Sequence, residues 1–226
     1  MIPGIRLVIL GKQGAGKGTQ CVFLSHHYVV PHISTGEMLR RAAKTGTELG
    51  LQAKDFMDRG ELIPDDLMIG LVAERLNELD VRTRGFLLDG FPRTVQQAEA
   101  LDSILTDYPL DATLDLAVPT EIVVKRLAGR LVCRDCGTTY HEEDSPPARA
   151  WACDNCGGPI MRRADDNEDA IRRRLALYEE QTAPLIDWYG TRGRLVTIDG
   201  LGQPETVFER AVAALEAHRG SESPNA

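Results

Sequence analysis

Gly11-Lys12-Gln13-Gly14-Ala15-Gly16-Lys17-Gly18-Thr19 lies between a short apolar run and a helical pattern, and its chemistry is that of a phosphate cradle. Glycines let the backbone turn so tightly that successive amide N–H groups and a helix N-terminus point into one concavity. Lys17 adds a mobile cation for the outer phosphates of a nucleotide, and Thr19 offers a hydroxyl near a metal ion. The segment fits GxxxxGK with one extra glycine before the threonine. An incidental glycine-rich turn would not require a strand before it and a helix after it.

Two cysteine pairs, Cys133-x2-Cys136 and Cys153-x2-Cys156, form a second pattern. Two tight turns can each present two thiolates to one tetrahedral Zn²⁺, and four protein ligands leave no position open for catalysis, so the metal is expected to be structural. By spacing alone the pairs also suit a redox couple, two disulfides or a nucleic-acid-binding zinc ribbon. A cytosolic setting opposes the first two, and the acidic neighbours Glu142, Glu143, Asp144 and Asp154 oppose the last. The segment is too short and polar for a core of its own, and metal binding supplies folding free energy that burial cannot. His141 is expected at the surface. Cys21 is read as a small buried apolar residue, and His26, His27, His32 and His218 as structural.

The arginines suggest anion neutralisation. Arg126 and Arg130 are four apart, as on one helical face, and Arg163 and Arg174 would be similarly directed if a helix nearly joined them. A planar guanidinium grips phosphate oxygens two at a time. Arg172 and Arg173 are expected on a solvated face. Against 26 Lys and Arg the chain carries 34 Asp and Glu, a formal charge of −8 over 226 residues. That balance opposes a general affinity for nucleic acid or anionic membrane, so any phosphate site must be locally basic. With no apolar run near ~18 residues, and residues 1–6 too short for a signal peptide, a cytoplasmic protein is expected. Nothing in the sequence demands more than a monomer.

These groups need a scaffold, and strands alternating with helices predict a parallel sheet covered on both faces. Strands are expected at 5–10, 29–33, 85–89, 114–118 and 195–198. Helices are expected at 16–27, 94–105, 120–128, 167–189 with a bend at Pro184, and 205–218. Residues 36–79 should form three helices broken at Gly46, Gly60 and Pro64. Residues 130–163 show turn residues and no sustained apolar period, which marks an insertion. The tail from 220 to 226 is expected to be disordered.

Taken in order, the loop, Ile33-Ser34-Thr35-Gly36-Glu37-Met38-Leu39-Arg40, Leu87-Leu88-Asp89-Gly90-Phe91-Pro92-Arg93, and Ala164-Asp165-Asp166 ahead of an arginine-rich helix resemble the adenylate kinase family over nearly the whole chain to about residue 218. The long insertion is similar to members with an extended, zinc-binding lid. The resemblance implies an α/β fold of P-loop kinase type, with a five-stranded parallel sheet flanked by helices, a helical AMP-binding insertion and a small zinc-binding lid. It implies a core of 1–33, 64–128 and 167–226, an AMP-binding region at 34–63 and a lid at 129–166.

It further implies Mg²⁺-dependent phosphoryl transfer between ATP and AMP, giving ADP and serving adenine-nucleotide homeostasis. Such chemistry needs no general base, because the attacking phosphate oxygen is already anionic; fixed cations and Mg²⁺ must instead overcome repulsion between two polyanions. For ATP the resemblance implies Gly14, Ala15, Gly16, Lys17, Gly18, Thr19, Arg130, Thr139, Tyr140 and Gln203. For AMP it implies Thr35, Arg40, Glu61, Leu62, Ile63, Gly90, Phe91, Pro92, Arg93, and Gln97 reading the adenine edge. Lys17, Arg93, Arg126, Arg163 and Arg174 would neutralise the transferred group, Arg163 and Arg174 also binding AMP, and Asp89 would hold Mg²⁺ through water. Family loops usually carry proline where Gln13 stands, and aspartate is commoner where Glu37 stands; both departures are expected to change stiffness or capping without loss of chemistry. Another nucleoside monophosphate kinase, or a zinc-containing nucleotide-binding protein without turnover, would share parts of this pattern.

Overall fold

A computed structural model describes residues 4–59, 61–162, 166 and 168–221. In chain order it runs β1 (Arg6–Leu10), α1 (Lys17–Tyr28), β2 (His32–Ser34), α2 (Thr35–Thr45), α3 (Glu48–Arg59), α4 (Asp65–Leu76), α5 (Leu79–Arg84), β3 (Phe86–Asp89), α6 (Val95–Ile104), β4 (Ala112–Ala117) and α7 (Thr120–Ala128). There follow β5 (Arg130–Cys133), β6 (Thr139–His141), β7 (Ile160–Arg162), α8 (Glu168–Leu177), a π-helical turn (Tyr178–Thr182), α9 (Pro184–Gly190), β8 (Leu195–Asp199) and α10 (Pro204–Ser221).

Five strands form one sheet in the order β2-β3-β1-β4-β8, paired in parallel throughout. Successive side chains of a strand point to opposite faces, and β1 therefore splits its apolar run between two cores. Leu7 and Ile9 pack with Leu24, Val123 and Leu215, while Val8 and Leu10 pack with Leu39, Val72, Leu101 and Tyr189. From β1 the chain leaves toward the β2 edge, and from β3 toward the β8 edge. A crevice therefore opens beyond the carboxyl ends of these two neighbouring strands, where open parallel sheets bind ligands.

A second sheet, antiparallel in the order β6-β5-β7, is inserted between α7 and α8. Its core is Leu131, Cys133, Tyr140, Cys153 and Ile160. Two aliphatic residues, one tyrosine and two cysteines spread over 30 positions set no period that the sequence can show, so these short strands carry no signal of their own.

Other boundaries moved for local reasons. Val29 takes a left-handed conformation (φ 56°) that closes α1, its N–H donating to Ser25 O, so β2 begins at His32 instead of 29. Pro184 does begin a new helix, but the bend is shared with the π-helical turn before it. Helix α10 runs to Ser221, which takes Gly220 out of the expected tail, while residues 222–226 lie outside the described set. So do Gly60 and Asn167, expected as a helix break and a helix start.

Helix α5 was not foreseen at all. Arg75 of α4 clamps Asp80 through Nη1 at 2.9 Å and Nη2 at 2.8 Å, which fixes the turn between the two helices. The Arg75 guanidinium hydrogen-bonded to Asp80 holds its carboxyl below the usual value. A depressed carboxyl adds stability above its unfolded pKa of ~3.9, and that stability is lost as pH falls through the lower folded value. Asp80→Asn is therefore expected to cost about 0.5 kcal/mol at neutral pH, as for an exposed pair, and to cost progressively less as pH falls below about 4. Urea unfolding at both ends of that range measures it; an unchanged penalty in acid would contradict the ion pair.

Candidate active site

The glycine-rich loop leaves β1 and closes on itself, Ala15 N–H donating to Lys12 O at 3.1 Å. Gly14 sits at φ 83°, and a Cβ there would meet Leu127 Cγ at 2.8 Å and Val123 O at 3.0 Å, so only glycine lets the loop rest on α7. Gly16, also left-handed, occupies the N-cap of α1 and brings no side chain to satisfy its first amides. Those amides remain free to meet an anion. Lys17 Nζ folds back to donate to Gly11 O at 2.6 Å and Lys12 O at 2.9 Å. Burial draws its pKa below the ordinary lysine value, with Asp89 opposing the shift. Gly18 and Thr19 are exposed on the first turn of α1.

Asp89 ends β3 beside this lysine. Burial alone would push its carboxyl up, but His32, with Nε2 at 3.7 Å, and the charges of Lys17 and Arg93 outweigh it and hold the carboxyl below its usual value. It is therefore ionised at neutral pH and chemically suited to hold a hydrated magnesium ion. Gly90 follows at φ 85°, where a Cβ would lie 2.8 Å from Thr35 Oγ1. After the cis Phe91-Pro92 bond, Arg93 turns back and donates from Nε to Gly90 O at 2.9 Å. Thr182, in the π-helical turn, donates to Arg93 O at 2.9 Å and so fixes that segment from above.

The remaining arginines converge on the cleft by a route the spacing did not foretell. Arg126 and Arg130 do not share a helical face: α7 ends at Ala128, Gly129 follows, and Arg130 begins β5. Arg126 Nη1 donates to Ala15 O at 3.2 Å in the loop. Arg130 grips Asp166 through Nε at 2.7 Å and Nη2 at 2.5 Å, and Arg174 Nη1 lies 3.8 Å from the same carboxylate. Arg163 lies outside the described residues, as do Ala164 and Asp165. A strand ends at Arg162 and a helix begins at Glu168, so no single helix joins 163 to 174. Arg174 also donates to Met57 O at 3.1 Å, which ties α8 to α3.

Asp166 is the hub that sequence reasoning left without a role; its side chain is 4% exposed. Gln13 Nε2 donates to it as well, at 3.2 Å, so the residue standing where relatives of this pattern carry proline links the loop to the arginine cluster. Glu37 stands at the third position of α2, its N–H directed at the Ser34 N-cap and its carboxylate paired with Arg40. From above, the knuckle at Gly137 approaches that same carboxylate.

On the acceptor side, Thr35 is buried and donates to Asp89 O at 3.3 Å. Glu61 is exposed and paired with Arg59, Leu62 is half-buried, and Ile63 is buried in the core. Gln97 is 2% exposed with both ends of its amide engaged: Oε1 accepts from Arg93 N–H at 2.8 Å, and Nε2 donates to Asp65 Oδ1 at 2.6 Å. Asp65 also accepts from Thr94, and no sequence signal marked it. On the donor side, Gln203 is exposed ahead of α10, whose first residue is bound to the loop helix by Gln20 Nε2 donating to Pro204 O. Thr139 is exposed. Tyr140 is 8% exposed, and its hydroxyl engages Cys153 Sγ at 3.3 Å and accepts from Asp154 N–H at 2.8 Å.

All four sulfur atoms of the cysteine pairs lie within 4.8 Å of one another. Cys133–Cys156 and Cys136–Cys153 are each 3.5 Å apart, too long for a disulfide at ~2.05 Å and close to the ~3.7 Å edge of a tetrahedron with Zn–S bonds of ~2.3 Å. Tyr140 hydrogen-bonded to Cys153 draws that thiol down, while the neighbouring cysteines push Cys156 up, so without a cation the four sulfurs do not all ionise together. The donor set fits structural Zn²⁺. His141, expected at the surface, is half-buried and accepts Glu143 and Asp144 N–H on Nδ1, which makes it a turn cap.

A family model described as adenylate kinase matches residues 9–194. Among curated proteins named adenylate kinase, one from Methanosarcina barkeri is 47% identical over 214 residues, 94% of this chain and 99% of that protein. One from Desulfitobacterium hafniense (strain DSM 10664 / DCB-2) is 49% identical over 214 residues, 94% and 98% of the two chains. One from Geobacillus sp. (strain WCH70) is 50% identical over 206 residues, 90% and 95%.

Asp166 and Gln13 separate in their expected effects. Asp166→Ala removes a carboxylate shared by the half-buried guanidinium groups of Arg130 and Arg174 and should cost about 2 kcal/mol; Gln13→Pro removes one longer hydrogen bond and should cost about 1 kcal/mol or less. Thermal unfolding of both variants measures the difference, and equal losses would show that Asp166 is not the hub.

Proposed function

The chain belongs to the adenylate kinase family and transfers the terminal phosphoryl group of ATP to AMP, and from that premise we propose how its residues divide the work. The observation that carries the proposal is the convergence of Lys17, Asp89 and Arg93 at the carboxyl ends of β1 and β3, with Arg126 against the same loop. Oriented amides of residues 14–19 and the Lys17 amine hold the ATP phosphates; Arg130, Thr139, Tyr140 and Gln203 complete the donor side. Thr35, Arg40, residues 61–63, Gly90 to Arg93 and Gln97 hold AMP. Guanidinium groups of Arg93, Arg126, Arg163 and Arg174 offset the charge that would keep two polyanions apart.

Bound with ATP, Mg²⁺ would neutralise phosphate oxygens and be held through water by Asp89 and near the Thr19 hydroxyl. Residues 129–166 act as a lid and 34–63 as an AMP-binding cover on a core of 1–33, 64–128 and 167–226, and together they exclude water from the transferred group. Structural Zn²⁺ on Cys133, Cys136, Cys153 and Cys156 stiffens the lid, in a cytoplasm reducing enough to keep these thiols free for metal. The enzyme is proposed to work as a monomer. The −8 charge supports small nucleotides, not nucleic acid or membrane, as partners.

Coupled assay of ADP formation is expected to show AMP as much the best acceptor against GMP, UMP and CMP; a better rate with another monophosphate would remove Gln97 and Thr35 as base readers. Lys17→Met should lower kcat by about 10²-fold or more, corresponding to ~3 kcal/mol of transition-state stabilisation, with the fold unchanged by circular dichroism. Cys133→Ser should lower zinc content and Tm together, while activity at low temperature falls less. A metal-free protein as stable as the zinc-loaded one would end the structural role.

A further inference from the structure

Cys21 and His32, by sequence a core filler and a structural histidine, meet Asp89. The Cys21 sulfur, an imidazole nitrogen of His32 and a carboxylate oxygen of Asp89 all lie within 4.8 Å of one another. They come from α1, β2 and β3; β2 and β3 are paired in the sheet and α1 packs against both, so the cluster is not an accident of flexible surface chains. His32 Nε2 is buried and makes no hydrogen bond among the described residues; it faces Asp89 Oδ2 at 3.7 Å, the longer electrostatic contact that helps hold that carboxyl ionised. A buried ring nitrogen without a bond is a cost that a metal ion would remove. Cys21 is fully buried beside it.

We propose that Cys21, His32 and Asp89 form a second metal site, selective for a thiophilic divalent ion such as Zn²⁺, and that its occupation inhibits phosphoryl transfer by taking Asp89 away from magnesium. The donor set decides the class of ion. One sulfur, one imidazole nitrogen and one carboxylate oxygen suit zinc, whereas magnesium demands oxygen and keeps its water. Binding exchanges one proton for the ion: the Cys21 S–H proton leaves to solvent, a metal–sulfur bond forms, and thiolate and carboxylate together match the charge of the ion. No electron is transferred. Three donors leave a fourth position that water or a phosphate oxygen can take. Entry is from the cleft, because Asp89 faces Lys17 there while Cys21 is sealed behind it. This site differs from the lid cluster in its position, in its ligands and in its consequence. The binding half stands on the cluster alone; the inhibitory half rests on the role proposed above for Asp89.

The test uses the full chain with its lid already loaded with zinc, free of nucleotide and excess metal. Equilibrium dialysis against micromolar Zn²⁺ is expected to add one further equivalent to the wild type and none to Cys21→Ala or Cys21→Ser, both of which should keep the lid equivalent and normal activity without added zinc. Kinase activity of the wild type should fall as that equivalent binds, with more Zn²⁺ needed as Mg²⁺ is raised, and the half-inhibiting concentration should rise at least tenfold in Cys21→Ala. A wild type that takes up no second equivalent, or a Cys21 variant that still does, overturns the site. Uptake without inhibition overturns the inhibitory half. Basal activity without added zinc reports on the kinase reading separately, so the two cannot fail as one.

Discussion

Mutual repulsion among cations is the constraint on which the rest of this structure depends. Lys17, Arg93, Arg126, Arg130 and Arg174 are gathered around one cleft, and charges of one sign so close together must each be held by an acceptor. Carboxylates and carbonyl oxygens do it: Asp89 faces Lys17 and Arg93, Asp166 faces Arg130 and Arg174, and Gly11, Lys12, Ala15, Met57 and Gly90 accept from these side chains through their backbones. Bonds to charged donors are the stronger class of hydrogen bond. Phosphate oxygens can later replace carbonyls with little rearrangement, which is how a site can be ordered before its ligand arrives.

That arrangement explains where the rigid and the inserted parts of the chain lie. The sheet supplies fixed carboxyl ends on which the loop and Asp89 sit, buried on both faces and so resistant to deformation. The clustered cysteines and Tyr140 give the three-stranded insertion an internal anchor where apolar area is small. Arg130 and Asp166 stand at the two ends of that insertion, so the ion pair is also the clasp that closes the insertion against the loop. Gln13 extends the clasp to the loop itself.

The local parts of this design could be read from the residues. An apolar run into Gly11, then glycines and Lys17, describes one continuous strand-loop-helix whose geometry follows from neighbouring residues. The paired cysteines were legible for the same reason, because ligand spacing within a knuckle is a local property. What could not be read depends on partners far along the chain. Gln13 and Asp166 are 153 positions apart, and Asp65 and Gln97 are 32 apart. The spacing of Arg126 and Arg130 suits one helical face, yet the helix expected over 120–128 ends before Gly129 and leaves Arg130 to open β5.

The sequence by itself therefore determined the chemistry available, a phosphate loop, a set of guanidinium groups and a four-sulfur cluster, together with the alternation of strands and helices that makes a parallel sheet. Those features are set by residue type and by periods of two and 3.6, which act over a few positions. Only the tertiary structure decided which carboxylate restrains which arginine, that Tyr140 joins the cysteines, and that Cys21, His32 and Asp89 share one spot. Such meetings are fixed by how α1, β2, β3 and the inserted sheet pack in space. Burial then decides whether a meeting matters, since removing water makes each unpaired group costly and each partner specific.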